Sequence, residues 1–516
     1  MSGRYICIIT SIASLLFLSS EINCGQTRFQ TLRPNDTIVV SEIVDLGGKT
    51  IEMPKDVTIS FNGGVITNGT IKFNNTKLLG DVKAYVHIHP ESVINNTLLN
   101  CSWFTRNINS GTKTNDVSET INELIAIVGN YNDGLYSYTP TIYLPAGIYY
   151  CHRPINISTV RKGKDLGKRT ISMRGDPGTR IVAVNQMEYL FGRPLSESSS
   201  SFSGVTLALE NISFDGNLRV DHTMNLSRVS KSSFRNIKAL GGIQTNLYMN
   251  FAFINYFENC SFYSWDVFKP TSIDVFLGPQ DVNAINFVGC VFEGANLGAY
   301  CGDGYTINFD GCVFEGLRCA AAYVYKADQV FIRGCYFEEN TTTKNNKNRK
   351  DFEWNSFGIK GTTDGVKNKK VIEIHADVFL NNAALKPDCN FSDIKLTNTT
   401  AKEQASMKST GAVTLIGNSV QRINSCTSDN YYHYQVPNDA FVFLADERPV
   451  TLTGNSVISI YADEVKGIWR TANGYKTPIL LKLTDKHMDD NNIFLQNNYS
   501  ASQKYDMIEK IYIINN

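Results

Sequence analysis

One six-residue phrase recurs along the middle of this 516-residue chain and limits what it can fold into. It runs Leu209-Glu-Asn-Ile-Ser-Phe214, Phe234-Arg-Asn-Ile-Lys-Ala239, Phe257-Glu-Asn-Cys-Ser-Phe262, Phe287-Val-Gly-Cys-Val-Phe292, Phe309-Asp-Gly-Cys-Val-Phe314 and Ile332-Arg-Gly-Cys-Tyr-Phe337. An apolar residue stands first, Asn or Gly third, Ile or Cys fourth, and usually Phe sixth. The fourth positions, Ile212, Ile237, Cys260, Cys290, Cys312 and Cys335, are 25, 23, 30, 22 and 23 residues apart. Self-similarity at such a period marks a solenoid, in which each unit buries its apolar face against the next.

Two solenoids fit the period, a leucine-rich repeat and a parallel β-helix. Leucine-rich units need Leu at fixed places and a helical segment. Here apolar residues alternate two by two, and Val, Ile, Phe and Tyr dominate, which is strand chemistry. Each unit is therefore expected to be one coil of a right-handed parallel β-helix, making the chain all-β. The Asn or Gly is the sharp bend between two strands, because both residues tolerate left-handed backbone angles. The residue after it points inward. Coils stack at about the ordinary strand spacing of ~4.8 Å, so Cys260, Cys290, Cys312 and Cys335 are expected in one internal file. Side chains there act as small apolar fillers, which predicts free thiols. Cys101, Cys151, Cys389 and Cys426 are left open as disulfide partners.

A hydrophobic content of 42% allows one long core, and 49 basic against 49 acidic side chains leave no global field to recruit nucleic acid or a membrane surface. Residues 1–24 are expected to be a secretory signal: Arg4 precedes an apolar run from Ile6 to Leu18 that is too short to span a bilayer. Cys24 raises lipid anchoring as an alternative, although Asn23 departs from the small residue a lipobox carries there. The protein is thus expected to be secreted, cell-surface or periplasmic, as a monomer or homotrimer.

Residues 25–110 form a β-rich leader, either first coils or a cap, with tight alternation in Val44-Asp-Leu46 and Val57-Thr-Ile59-Ser-Phe61 broken by Gly pairs. Residues 111–516 form the solenoid. Val117, Ile121, Leu124, Ile125 and Val128 recur at helical spacing behind Asn115 and Asp116 as N-caps, with Glu119 in the first turn. A loop then leads to Thr141-Ile-Tyr-Leu-Pro-Ala-Gly-Ile-Tyr-Tyr150. Looser phrases follow the ordered ones at Leu415-Ile-Gly-Asn-Ser-Val420, Leu452-Thr-Gly-Asn-Ser-Val457 and Phe494-Leu-Gln-Asn-Asn-Tyr499, and Ile511-Tyr-Ile513 reads as a closing strand.

A capping helix, a loop and a strand turning through Leu144-Pro-Ala-Gly-Ile-Tyr149, followed by coil phrases, resembles the entrance of the pectate-lyase-like superfamily. The resemblance covers roughly residues 115 to 500. It implies a substrate groove on the strand that follows the loop after each phrase. Taking Ile243 and Leu247 as inward leaves Gln244, Asn246 and Tyr248 outward. The same alternation exposes Asp274 and Phe276, then Tyr300, then Tyr323 and Tyr325 with Lys326 beyond, and Lys360. Gly298 and Ala321 are read as small outward residues that leave room for a ligand. Bordering loops add Arg219, Asp221, His222, Trp265, Asp266, Lys269, Glu293 and Arg318. Aromatic faces stack on sugar rings, and amides and carboxylates bind hydroxyls.

The resemblance implies an exported polysaccharide-degrading enzyme, foremost a lyase cleaving a uronic-acid glycan such as a glycosaminoglycan or pectin. β-Elimination needs a group to neutralise the uronate, a base and an acid. Asn246, Gln244 or Arg318 would neutralise, His222 or Lys326 would be the base, and Tyr248 or Tyr300 acid or base. Trp265, Asp274, Tyr323, Tyr325 and Lys360 would contact substrate. Ca²⁺ held by Asp274 or Asp303 is an alternative neutraliser; no His-x-x-x-His or Cys-x-x-Cys metal signature is present. The rival readings are a glycoside hydrolase using paired carboxylates such as Asp274 and Asp303, and a non-catalytic glycan-binding or adhesive solenoid.

Overall fold

A computed structural model describes residues 29–342 apart from 109–115, 132–138, 162–163, 166, 199–200, 265–270, 272, 279, 318–319, 326 and 339; beyond 342 it describes 376–380, 412–425, 436–437, 440–444, 449–463, 468–470, 479–483, 493–496, 499–502 and 513–515. The chain divides into two compact units, residues 1–157 with 169–181, and residues 158–168 with 182–516.

In the second unit the first strand of every phrase joins one parallel ladder, from Val205–Glu210 through Ser230–Arg235, Phe253–Glu258, Val282–Val288, Gly304–Asp310 and Asp328–Arg333 to Val413–Ile416, Val450–Thr453 and Ile493–Gln496. After the bend, short strands such as Ser261–Tyr263, Val291–Glu293 and Val313–Glu315 form a second ladder, and Ile273–Leu277, Leu297–Cys301 and Ala320–Val324 a third. Ile513–Asn515 closes the third ladder against Leu481–Leu483, as the terminal alternation predicts. Parallel strands joined coil by coil make the expected right-handed parallel β-helix.

The phrase explains the coil. Its third residues, Asn211, Asn236, Asn259, Gly289, Gly311, Gly334, Gly417 and Gly454, all have φ between 52° and 64°. Only Gly and Asn adopt that left-handed conformation cheaply, so the bend recurs at one height in each coil. The first residues stack in register, with Phe234 and Phe257 rings 4.4 Å apart and 9° from parallel, and Phe257 and Phe287 4.9 Å apart. The sixth residues make a second file, with Phe292 and Phe314 at 4.7 Å. Edge-to-face contacts such as Phe257 with Phe262 join the two files.

The fourth residues form the expected file and are fully buried free thiols at Cys260, Cys290 and Cys312, with Cys335 nearly so. Each thiol donates to the carbonyl of the phrase's first residue one coil earlier: Cys260 to Phe234 at 3.4 Å, Cys290 to Phe257 at 3.5 Å, Cys312 to Phe287 at 3.4 Å and Cys335 to Phe309 at 3.5 Å. In the looser phrases Asn418 and Asn455 take over that position, and their side-chain amides donate to Ile332 and Leu415 carbonyls at 3.0 Å. The looser phrases therefore keep the same bond with a different donor. Cys101 and Cys151 are also buried free thiols, and burial pushes the Cys101 thiol up to about 12. Cys24, Cys389 and Cys426 lie outside the described residues.

The first unit contains parallel coils of its own, Thr37–Val40, Thr58–Phe61 and Asn74–Gly80 in one ladder and Ile43–Asp45, Val65–Lys72 and Ala84–Ile88 in another. Helix α1, Ser118–Val128, buries the expected stripe of Ile121, Leu124, Ile125 and Val128, with Val117 just before it. The Asp116 carboxylate accepts from the Ser118 amide at 2.9 Å and the His152 amide at 3.1 Å. Burial pulls its pKa up, but bonds from Ser118 and His152 outweigh that and hold it below its ordinary value. Asn115 lies outside the described residues. The strand Thr141–Leu144 pairs with Leu98–Asn100 and Arg169–Gly175, and the Tyr149 hydroxyl donates to the Pro145 carbonyl at 2.7 Å across the Pro-Ala-Gly turn.

Helix α1 is pinned by Glu123, which accepts from the Ile88 amide at 3.1 Å and meets His87 Nδ1 at 2.9 Å. That bond raises the His87 pKa above 6.5. A raised folded-state value means the pair stabilises fully below the unfolded pKa and loses that contribution as pH rises through the folded one. His87→Ala is thus expected to cost stability at pH 5 and little at pH 9, read by chemical denaturation; an equal cost at both would remove the charge pair from the account. At the bend, a Cβ added to Gly311 meets no atom within 4 Å, so Gly311→Ala should cost only the left-handed backbone, about 1–2 kcal/mol. Gly311→Asn should cost less, and equal stability of all three proteins would contradict the bend.

Candidate functional site

The third ladder carries most of the residues that the sequence nominates. Asn225, Tyr248, Phe276, Tyr300 and Tyr323 stand opposite one another on successive coils. The Tyr248 and Phe276 rings stack at 5.2 Å and 5°, Phe276 and Tyr300 stack at 4.8 Å and 20°, and Tyr323 lies tilted by 42° against Tyr300 at 5.5 Å. His222 joins the end of the file, 5.0 Å from the Tyr248 ring, and Tyr325 lies 6.4 Å from Tyr300.

The expected open aromatic stripe is corrected by this structure. Tyr248, Phe276, Tyr300 and Tyr323 are only 2%, 6%, 5% and 2% exposed. All five residues of Ile273–Leu277, Leu297–Cys301 and Ala320–Val324 are buried, so both faces of the sheet are covered. Parallel strands covered on both faces read as near-continuous apolar runs, and Ala320-Ala-Ala-Tyr-Val324 is such a run. That signal, and not alternation, was the informative one.

Asn246 and Asp274 are corrected as well. The paired register skips Asn246, Asp274 and Gly298 between their neighbours, so simple alternation fails there. A Cβ on Gly298 would come 2.8 Å from Leu317 and 3.2 Å from the core ring of Phe314, so this position packs inward and leaves no room for a ligand. Asn246, fully buried, donates to Asp274 Oδ1 at 2.7 Å and to the Tyr263 carbonyl at 3.1 Å, and accepts from the Gly242 amide at 3.1 Å. Both amide protons are committed, which removes Asn246 as a neutraliser of substrate charge. Burial holds the Asp274 carboxyl well above its ordinary value, which makes it a poor Ca²⁺ ligand and a poor carboxylate base. Ile243, expected inward, is 42% exposed.

His222 is buried, and its Nδ1 lies 2.8 Å from the Thr245 hydroxyl. Burial pushes its pKa down to about 3, which keeps the imidazole neutral. Tyr248 is pushed up by burial, and Tyr325 up to about 12. His222 Nε2, Asn225 Nδ2, Gln244 Oε1, Thr271 Oγ1 and Asp274 Oδ2 are buried without a hydrogen-bond partner. Native proteins leave few such atoms unpaired, and four of these five lie on neighbouring strands of one ladder, with Thr271 just before the strand Ile273–Leu277. Thr245 and Asn225 were absent from the sequence nominations; only the coil register sets them beside His222 and Tyr248. Trp265, Asp266, Lys269, Arg318, Lys326 and Lys360 lie outside the described residues, and Arg219 is exposed.

Among the described residues one group of His, Cys, Asp or Glu side chains converges closely enough for a metal ion, His87 with Glu119 and Glu123. It excludes Asp274 and Asp303, the expected Ca²⁺ ligands. Arg153 shares Glu119 at 3.4 Å, and Glu123 is engaged by the Ile88 amide, so the group reads as the anchor of helix α1.

No family model matches the chain, and the curated proteins give no match. Among solved structures it is similar to ORF18 of Geobacillus virus E2, at 12% identity over 78% of this chain and 60% of that one, with a TM-score of 0.44. It is similar to the surface adhesin PfbA of Streptococcus pneumoniae, at 10% identity over 79% and 93% of the two chains and a TM-score of 0.43. The A-module of the mannuronan C-5 epimerase AlgE6 of Azotobacter vinelandii gives 13% identity over 79% and 100%, with a TM-score of 0.35.

The His222 ring is expected to titrate near 3, well below the ordinary 6.5, in a pH series of imidazole NMR shifts. Titration near 6.5 would show that the ladder is open in solution. Thr245→Val leaves both ring nitrogens unpartnered and should cost about 1–3 kcal/mol of stability.

Proposed function

We propose that this chain is an exported polysaccharide-active β-helix protein that cleaves a uronic-acid glycan by β-elimination, with His222 and Tyr248 as its reacting pair. The observation that carries this reading is the coincidence, at one end of the aromatic file, of a neutral imidazole with an unpartnered Nε2 and a protonated phenol in ring contact with it. A neutral imidazole can take the proton from the carbon beside the uronate carboxyl. The electron pair of that C–H bond forms the new double bond as the glycosidic C–O bond breaks. The Tyr248 hydroxyl supplies a proton to the departing oxygen. Gln244, half-buried, meets the carboxyl through its side-chain NH₂ and not its Oε1, and Arg318 is the second nominee; Asn246, with both amide protons committed, is not one. Burial alone depresses the His222 pKa, so admitting substrate and water to the file returns basicity to the ring.

The hydrolase reading loses its carboxylate pair, because Asp274 is fully buried and bonded to Asn246. The near-complete burial of Tyr300 and Tyr323 removes them as sugar platforms, so a non-catalytic glycan-binding reading rests on surfaces other than this file. Incubation of the full chain with acidic and neutral polysaccharides separates the readings. Elimination produces a near-ultraviolet absorbance from the unsaturated uronate. His222→Ala and Tyr248→Phe should each lower its rate about a hundredfold or more. New reducing ends without that absorbance would indicate hydrolysis, and binding without either product would reject an enzyme.

A further inference from the structure

The first unit holds a groove of about 440 Å³ lined by Asp81, Lys83, Tyr85, Asn100, Trp103 and Arg106, within the ~300–1,000 Å³ usual for ligand sites. Its residues come from three places in the chain. Lys83 and Tyr85 belong to one coil, Asn100 ends the strand Leu98–Asn100, and Trp103 and Arg106 follow in the next turn. The Arg106 guanidinium lies 4.3 Å from the centre of the Tyr85 ring. That stacking orients the planar fork without using its N–H donors.

Asp81 and Lys83 neutralise each other at 2.7 Å. Among the described residues no carboxylate pairs with Arg106, so the groove carries an uncompensated positive charge. Asn100 Oδ1 is occupied by the Ser102 amide at 2.9 Å and hydroxyl at 2.8 Å, which leaves its side-chain NH₂ as a donor. Trp103 is half-buried and braced edge-on by Phe104, with ring centres 6.4 Å apart.

We propose that this groove binds a carboxylate-bearing sugar, one uronate residue of an acidic glycan. Trp103 offers flat apolar surface to the C–H face of a pyranose ring. The Asn100 amide serves a ring hydroxyl. The Arg106 fork takes the carboxylate in two parallel hydrogen bonds, which a neutral sugar cannot accept in the same way. The groove stands on its own residues, independently of any reaction at His222.

The test uses the full chain carrying His222→Ala, so that cleavage cannot consume the probe. Binding of a short oligogalacturonate and of its methyl ester is measured by calorimetry. Arg106→Ala should weaken the acid by about tenfold or more and the ester by less than about twofold, through loss of the charge-assisted bidentate pair. Arg106→Lys should recover part of the loss, and Trp103→Ala should weaken both ligands. Equal affinity for acid and ester, or acid binding unchanged by Arg106→Ala, would overturn the proposal. Arg106 is exposed, so its variants fold. Retained, Arg106-dependent binding of the probe by the chain with His222 intact, with no cleavage of it, would overturn the His222 reading alone.

Discussion

The second unit depends on one recurring local constraint, a left-handed residue followed by an inward, buried side chain. The left-handed turn at Asn211, Asn236, Asn259, Gly289, Gly311 and Gly334 swings the chain from the first ladder into the second at the same place on every coil. From Asn259 onward the next side chain also caps the carbonyl of the preceding coil, by a thiol at Cys260, Cys290, Cys312 and Cys335 and by an amide at Asn418 and Asn455, whereas Ile212 and Ile237 only fill the interior. Buried backbone carbonyls need partners, and a bend breaks the ladder that would otherwise supply one. The cysteines are conserved in chemistry along the file because each is small, apolar and able to donate once. The Phe files on either side follow from this alignment.

A second left-handed column runs beside the first and has no such signature. Lys231, Ile254, Ala284, Thr306 and Gln329 all have φ between 55° and 59°, and the first ladder's register skips Ile254 and Ala284. None is Gly or Asn, and Ile254 and Thr306 are branched at Cβ, so each carries a backbone cost of about 1–2 kcal/mol. The ladder bonds on both sides of each such residue, which continue in the same register, impose the conformation.

The third ladder shows how coverage inverts side-chain chemistry. An exposed His titrates near neutrality and an exposed Tyr is a sugar platform; sealed, His222 is a neutral ring with an idle nitrogen and Tyr248 a firmly protonated phenol. Asn246 and Asp274, two residues from the aromatic file, become interior polar groups, Asn246 bonded to Asp274 and to the Tyr263 carbonyl while Asp274 Oδ2 stays unpartnered.

The sequence by itself determined the coil, its bends, its thiol file and the helix at Ser118–Val128, because these are written in short-range order: a left-handed residue every 22 to 30 positions and an apolar stripe at helical spacing. Tertiary structure alone decided which face of the third ladder is sealed, that Asn246 turns inward, that Thr245 meets His222, and that Arg106 stacks on Tyr85. Those outcomes depend on side chains from different coils arriving at one place. A period of two cannot reveal a skipped register or what lies across a sheet, since both depend on neighbours remote in the chain.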